Sequence, residues 1–125
     1  MIIDLVSLWA SGRTADWLRL MSTASYLETA IVIEARFGES GGRELDLWPH
    51  RAGVDLVGVD ANQAELARAA YRWFGKGRHP GALNYGDCFA YALAKFSGEP
   101  LLFKGSDFGH TDIDAVDSGG LPAIR

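Results

Sequence analysis

Three short apolar runs, "MIIDLV" at the start, "VDLVGV" from residue 54 and "LLF" from residue 101, alternate with longer segments whose apolar residues recur at helical spacing. A short apolar run between turn signals reads as a buried strand, and the longer periodic segments read as helices. Parallel strands need crossover connections, and a sheet built that way buries both of its faces under helices. The expected fold class is therefore α/β, with a central parallel sheet.

Local signals set the expected boundaries. "STASYLETAIVIEARFG" opens on serine and threonine and stops at Gly38, so it predicts a helix. "SGGRELDLWPHRAG" predicts a second short helix, interrupted near Pro49 because an internal proline lacks an amide donor. "ANQAELARAAYRWFG" is rich in helix formers and leads into the loop "KGRHPGALNYG". "DCFAYALAKFSG" gives a further helix, with its start at Asp87 and its stop at Gly98. Residues 5–18 are the least patterned: Ser11-Gly12-Arg13 reads as a turn, and "ADWLRLM" as a short helix or a strand entry. One domain over residues 1–116 is expected, with the Gly- and Pro-containing "DSGGLPAIR", residues 117–125, as a mobile tail.

Composition narrows the function classes. With 48% hydrophobic and 22% charged residues the chain is ordinary for a globular domain, and 125 residues leave little room for a second core. A single cysteine, Cys88, excludes an intramolecular disulfide and fits a reducing cytoplasm. The N-terminus has no charged leader ahead of a long apolar segment, and Glu28, Glu34 and Arg36 break the best membrane candidate, so no membrane partner is expected. The net charge of −4 argues against a broad cationic surface but leaves room for an acidic site beside a local basic patch. Neither a Walker-type phosphate loop nor a G-x-G-x-x-G turn occurs.

Four acids stand at element ends: Asp4 after the first apolar run, Glu28 early in a helix, Asp87 ahead of the Ala-rich helix, and Asp107 after "LLFKGS". Each has a plain structural reading. Asp87 can cap its helix, Glu28 can favour the helix dipole, Asp107 can belong to turn chemistry, and Asp4 can merely end a strand. An acid within so apolar an opening as that around Asp4 is costly unless it is paired or bound to a cation. Lys76, Arg78 and His79 in "KGRHPG", with Lys104, are candidate phosphate contacts, and a solvated loop is the competing reading. Tyr85 and Phe108 are candidates for stacking on bases or for packing. Trp48, Tyr71, Trp73 and Phe74 read as core or interface, Cys88 as buried packing, and Asp112 and Asp114 as loop acids, with one an outer-shell substitute.

"MIID", "SYLETAIVIEARFG", "LNYGDCFAYALAK" and "PLLFKGSDFGHTDI" closely resemble the PIN-domain ribonucleases, in particular the VapC toxins of toxin–antitoxin pairs. The resemblance covers residues 1–4 and about 19–114, in order. It implies a three-layer α/β/α domain in which Asp4, Glu28, Asp87 and Asp107 gather at the carboxyl end of the sheet. The implied activity is endonucleolytic cleavage of RNA leaving a 5′-phosphate and a 3′-hydroxyl. Carboxylate oxygens suit Mg²⁺ or Mn²⁺, and no His/Cys cluster offers a zinc-like alternative. On this reading Asp4 and Asp87 ligate metal directly, while Glu28 and Asp107 bind a second ion or orient water. The resemblance also implies a homodimer and a VapB-type antitoxin whose C-terminal segment fills the groove.

Two features depart from that pattern. The family commonly follows the first aspartate with a hydroxyl residue, whereas this chain has "DLVS", and the segment between Asp4 and Glu28 is shorter by about a dozen residues. The alternative reading is a catalytically impaired protein of the same fold that binds an antitoxin or RNA.

Overall fold

The computed structural model describes residues 2–3, 19–77, 82–99, 101–103, 111–112 and 115–117. Within these residues five strands, β1 (Ile2–Ile3), β2 (Arg19–Ser22), β3 (Val54–Val57), β4 (Leu101–Phe103) and β5 (Ala115–Asp117), form one sheet in the order β3-β2-β1-β4-β5. Every pairing is parallel, with Ile2 opposite both Leu20 and Leu101, Leu20 opposite Asp55, and Leu101 opposite Ala115. The strand order reverses between β1 and β4, and in open parallel sheets such a reversal leaves a crevice beyond the strands' carboxyl ends. β5 has no counterpart in the sequence reading, and it takes in Asp117, the first residue of the expected tail.

Among the described residues three helices cover the sheet: α1 (Thr23–Ala52), α2 (Ala61–Phe74) and α3 (Tyr85–Ser97). Successive residues of a strand point to opposite faces. Met21 packs with Leu45, Val54 and Trp48 under α1, while its neighbour Leu20 packs against a cluster of Ala67 and Ala70 of α2, Tyr91 and Leu93 of α3, and Leu83 between them. This alternation makes the domain three layers, with α1 on one face and α2 and α3 on the other. No described helix is long and apolar enough to cross a membrane.

The caps explain most boundaries. Ser22 accepts from the Ala24 amide at 3.2 Å, and Asp60 accepts from the Gln63 amide at 2.8 Å. Gly53 and Gly98 close α1 and α3 in the left-handed region, at φ 66° and 72°. Gly38, with φ 65° and ψ −157°, interrupts the helical geometry of α1 where the sequence places a stop.

One expectation is corrected and another narrowed. Pro49 does not end the second helical stretch, which continues to Ala52. A proline at this position leaves the Leu45 carbonyl without its usual amide donor, and the Tyr26 hydroxyl approaches that carbonyl at 3.4 Å. Of the residues read as core or interface, Phe74 packs on the α3 core and Trp48 is half-buried, whereas Tyr71 and Trp73, 43% and 56% exposed, are outside the core, which leaves the interface reading for them. Arg19 has no marker in the sequence. It is buried, and its guanidinium donates to the Ala52 carbonyl, setting a cation at the C-terminus of α1.

Candidate acid site

α1 leaves the carboxyl end of β2 directly, and α3 runs back toward the amino end of β4, so both helices begin at the same edge of the sheet. Their starts meet there although they lie on opposite faces. The Glu28 carboxylate occupies the space that a β-carbon on Gly86 would fill, so a bare backbone at Gly86 is what admits it. Asp87 is the next residue. Glu28 is thereby brought to the helix start that carries Asp87.

The structure corrects the role of Asp87 in its helix. Asn84, not Asp87, is the N-cap, and α3 starts at Tyr85. The Asp87 amide donates to Asn84 Oδ1 at 2.8 Å, and the Asn84 amide donates to Asp87 Oδ2 at 3.0 Å, a reciprocal capping box. This box fixes the carboxylate against the helix start. It does not exhaust the group, because an ionised carboxylate offers about four lone-pair directions. Asp87 can therefore brace the helix and ligate a cation.

Asp4 and Asp107, like Arg78, His79, Lys104, Phe108 and Asp114, lie outside the described residues. Among the described residues no three His, Cys, Asp or Glu side chains converge as a metal-sized group. Glu28 and Asp87 nevertheless have the chemistry for one. They are hard oxygen donors, and the one soft group beside them, the Cys88 thiol, is buried and held neutral, so a divalent cation that prefers oxygen suits them.

Asp112 has a different role from that of a loose loop acid. Its Oδ1 accepts from the buried Tyr91 hydroxyl at 2.5 Å, and its Oδ2 pairs with Lys95 Nζ at 2.7 Å. Burial pushes the carboxyl up, but the bonds from Lys95 and Tyr91 outweigh it and hold Asp112 below the usual carboxylate range. Burial, and then the bond to Asp112, raise the Tyr91 phenol. Asp87, Tyr91 and Lys95 are four residues apart along α3, so the Asp112 contacts begin about 6 Å along the helix axis from Asp87. Only the positions of Tyr91 and Lys95 hinted at this strut.

Cys88 is buried, its Sγ lies 3.2 Å from the Asn84 carbonyl oxygen, and burial followed by the nearby Asp87 charge pushes its thiol up to about 11. A neutral buried thiol packs and does not attack. Lys76 is exposed in the loop after α2, where its amide donates to the Leu83 carbonyl and anchors the connection to α3.

Comparison with known proteins agrees with this architecture. The PIN domain family matches residues 11–114, a stretch that includes Glu28, Asp87 and Asp107 and excludes Asp4. The chain is 76% identical over 102 residues to Ribonuclease VapC30 of Mycobacterium tuberculosis, covering 82% of this chain and 78% of that one. It is 73% identical over 101 residues to Ribonuclease VapC of Mycolicibacterium smegmatis, covering 81% and 78%. Its fold is similar to that of VapBC-1 from nontypeable Haemophilus influenzae, with a TM-score of 0.69 at 17% identity over 95% of this chain and 99% of that one.

Proposed function

This chain belongs to the PIN domain family and is a ribonuclease toxin of the VapC kind, and on that premise we propose that it cleaves RNA internally with Mg²⁺ or Mn²⁺ held by its acids. The observation that carries the metal reading is the meeting of Glu28 with Gly86 beside the capped Asp87. Asp87 and Asp4 are assigned as direct ligands, with Glu28 and Asp107 binding a second ion or orienting water. A bound divalent cation would supply Lewis acidity toward the phosphate and a more acidic water.

The remaining work falls to the chain itself. Asn84 holds the Asp87 carboxylate in one orientation, so the oxygen donors need little reorganisation. Gly86 gives Glu28 room at the helix start. Lys76, with Arg78, His79 and Lys104, is assigned to RNA phosphates, which position the strand without reading its sequence. Cleavage leaves a 5′-phosphate and a 3′-hydroxyl.

The partners follow from the same membership. The chain pairs with a VapB-type antitoxin in the cytoplasm, and it forms a homodimer. Leu27 and Ile31, each 61% exposed and one helical turn apart on α1, support a covering protein surface, since apolar side chains on one stripe favour burial.

The test is cleavage of a mixed cellular RNA pool by purified protein with Mg²⁺ or Mn²⁺, set beside Asp87→Asn. The expected result is metal-dependent cutting by the wild type alone. Equal cutting by both proteins, or none by either, would overturn the assignment.

A further inference from the structure

A cleft of about 600 Å³ lies between α2 and α3, lined by Arg68 and Tyr71 of α2, by Lys76, and by Asn84, Tyr85 and Phe89 around the start of α3. We propose that this cleft is a subsite for one nucleobase of single-stranded RNA, with Arg68 and Lys76 at the flanking phosphates. The proposal rests on the ribonuclease reading and adds a place where the substrate is held.

The size falls within the roughly 300–1,000 Å³ of small-molecule sites. Two aromatic residues line the cleft with solvent-exposed surface: Tyr71 is 43% exposed and Tyr85 is 78% exposed. Tyr85 stands edge-on to Phe89, with centroids 5.0 Å apart and planes at 84°. That contact steadies the Tyr85 ring while the ring stays exposed. A steadied aromatic ring is the platform on which bases stack irrespective of sequence.

Charge favours the same occupant. The chain carries −4 overall, yet the described residues lining the cleft include two cations and no acid. Arg68 reaches Glu65 at 3.7 Å, with both side chains at least 70% exposed, a pairing weak enough to yield to a phosphate. A second copy of this chain seated on the cleft would have to bring acids of its own to Arg68 and Lys76 or take both cations out of water with at most the weak Glu65 pairing. Asn84 supplies the link to chemistry, because it lines the cleft and also holds Asp87 through both bonds of the capping box. A strand with a base in the cleft therefore passes beside the residue that orients Asp87.

The experiment measures anisotropy of a labelled single-stranded RNA dodecamer in EDTA, so that binding is read without turnover. A matched abasic oligomer serves as the second probe. Tyr71→Ala is expected to weaken the base-containing RNA by about 5- to 100-fold, the loss of one stacked base, and to leave the abasic probe nearly unchanged. Lys76→Gln is expected to weaken both probes and to lower the slope of log affinity against log salt by about 0.7. Tyr85→Ala removes a mostly exposed ring and serves where Tyr71→Ala unfolds. RNA carrying 4-thiouridine is expected to cross-link to the peptides around Tyr71 or Tyr85.

Wild-type affinity in both tyrosine variants, or cross-links confined to other elements, would overturn the subsite. A shift from dimer to monomer with RNA affinity unchanged would overturn it in favour of an interface between copies. Metal-dependent cleavage with tyrosine-independent binding removes the subsite alone. Tyrosine-dependent binding without cleavage supports the subsite and removes the nuclease reading.

Discussion

The Glu28 carboxylate occupies the space where a β-carbon on Gly86 would stand, one residue before Asp87. Helices from opposite faces of the sheet thus deliver two acids to one edge. Gly86 is the residue whose bare backbone leaves room for Glu28 there.

Gly86→Ala separates stability from chemistry. Alanine within a helix is favoured over glycine by roughly 0.5–1 kcal/mol, and the atoms it meets are the movable end of Glu28. Thermal stability should hold or rise while the carboxylate is displaced. The expected readout is weaker Mn²⁺ binding by calorimetry and slower cleavage; wild-type values for both would refute that role.

Asp87→Asn and Asn84→Ala divide the two duties of the capping box. Asparagine at 87 keeps an acceptor for the Asn84 amide and loses the charge, so stability should change by less than about 1 kcal/mol. Cleavage should fall by about a hundredfold or more, the scale of losing one preorganised charge-stabilising group. Asn84→Ala removes the cap and should cost about 1 kcal/mol in urea denaturation.

The Asp112 strut predicts a pH profile. The folded-state pKa of Asp112 is lowered, so its contribution is present above its unfolded value of about 3.9 and is lost as pH falls through the folded value. Tyr91 is raised, so its contribution is present below about 10 and is lost as pH rises beyond that. Melting temperature should decline on both sides. Asp112→Asn should flatten the acid limb and Tyr91→Phe the alkaline limb, and unchanged limbs would remove the strut.

Cys88 should resist alkylation in the folded chain. With its thiol pushed up to about 11, only about a thousandth is thiolate at pH 8, and burial restricts access further. Iodoacetamide labelling followed by mass spectrometry should show little adduct until denaturant is added. Rapid labelling of native protein would contradict the packing role.

The local part of this architecture was legible because its causes lie within a few residues. The apolar runs, the serine and threonine before Ala24, and the stops at Gly38 and Gly98 are short-range features, and they predicted three of the five strands and the helical stretches between them. The same short range misled at Asp87, where Asn84 three residues earlier takes the cap. It misled again at Pro49, whose carbonyl partner is approached by Tyr26 from the far end of α1.

By itself the sequence determined the alternating elements, the family resemblance and the positions of the acids at element ends. Only the tertiary structure decided which groups meet: Glu28 with Gly86, Asp112 with Tyr91 and Lys95, Arg19 with the end of α1, and the cleft between Tyr71 and Tyr85. The physical reason is range. Caps and periodicity act over one or two turns, whereas these contacts depend on the order of parallel strands and the packing of helices on them, which bring together residues far apart in the chain.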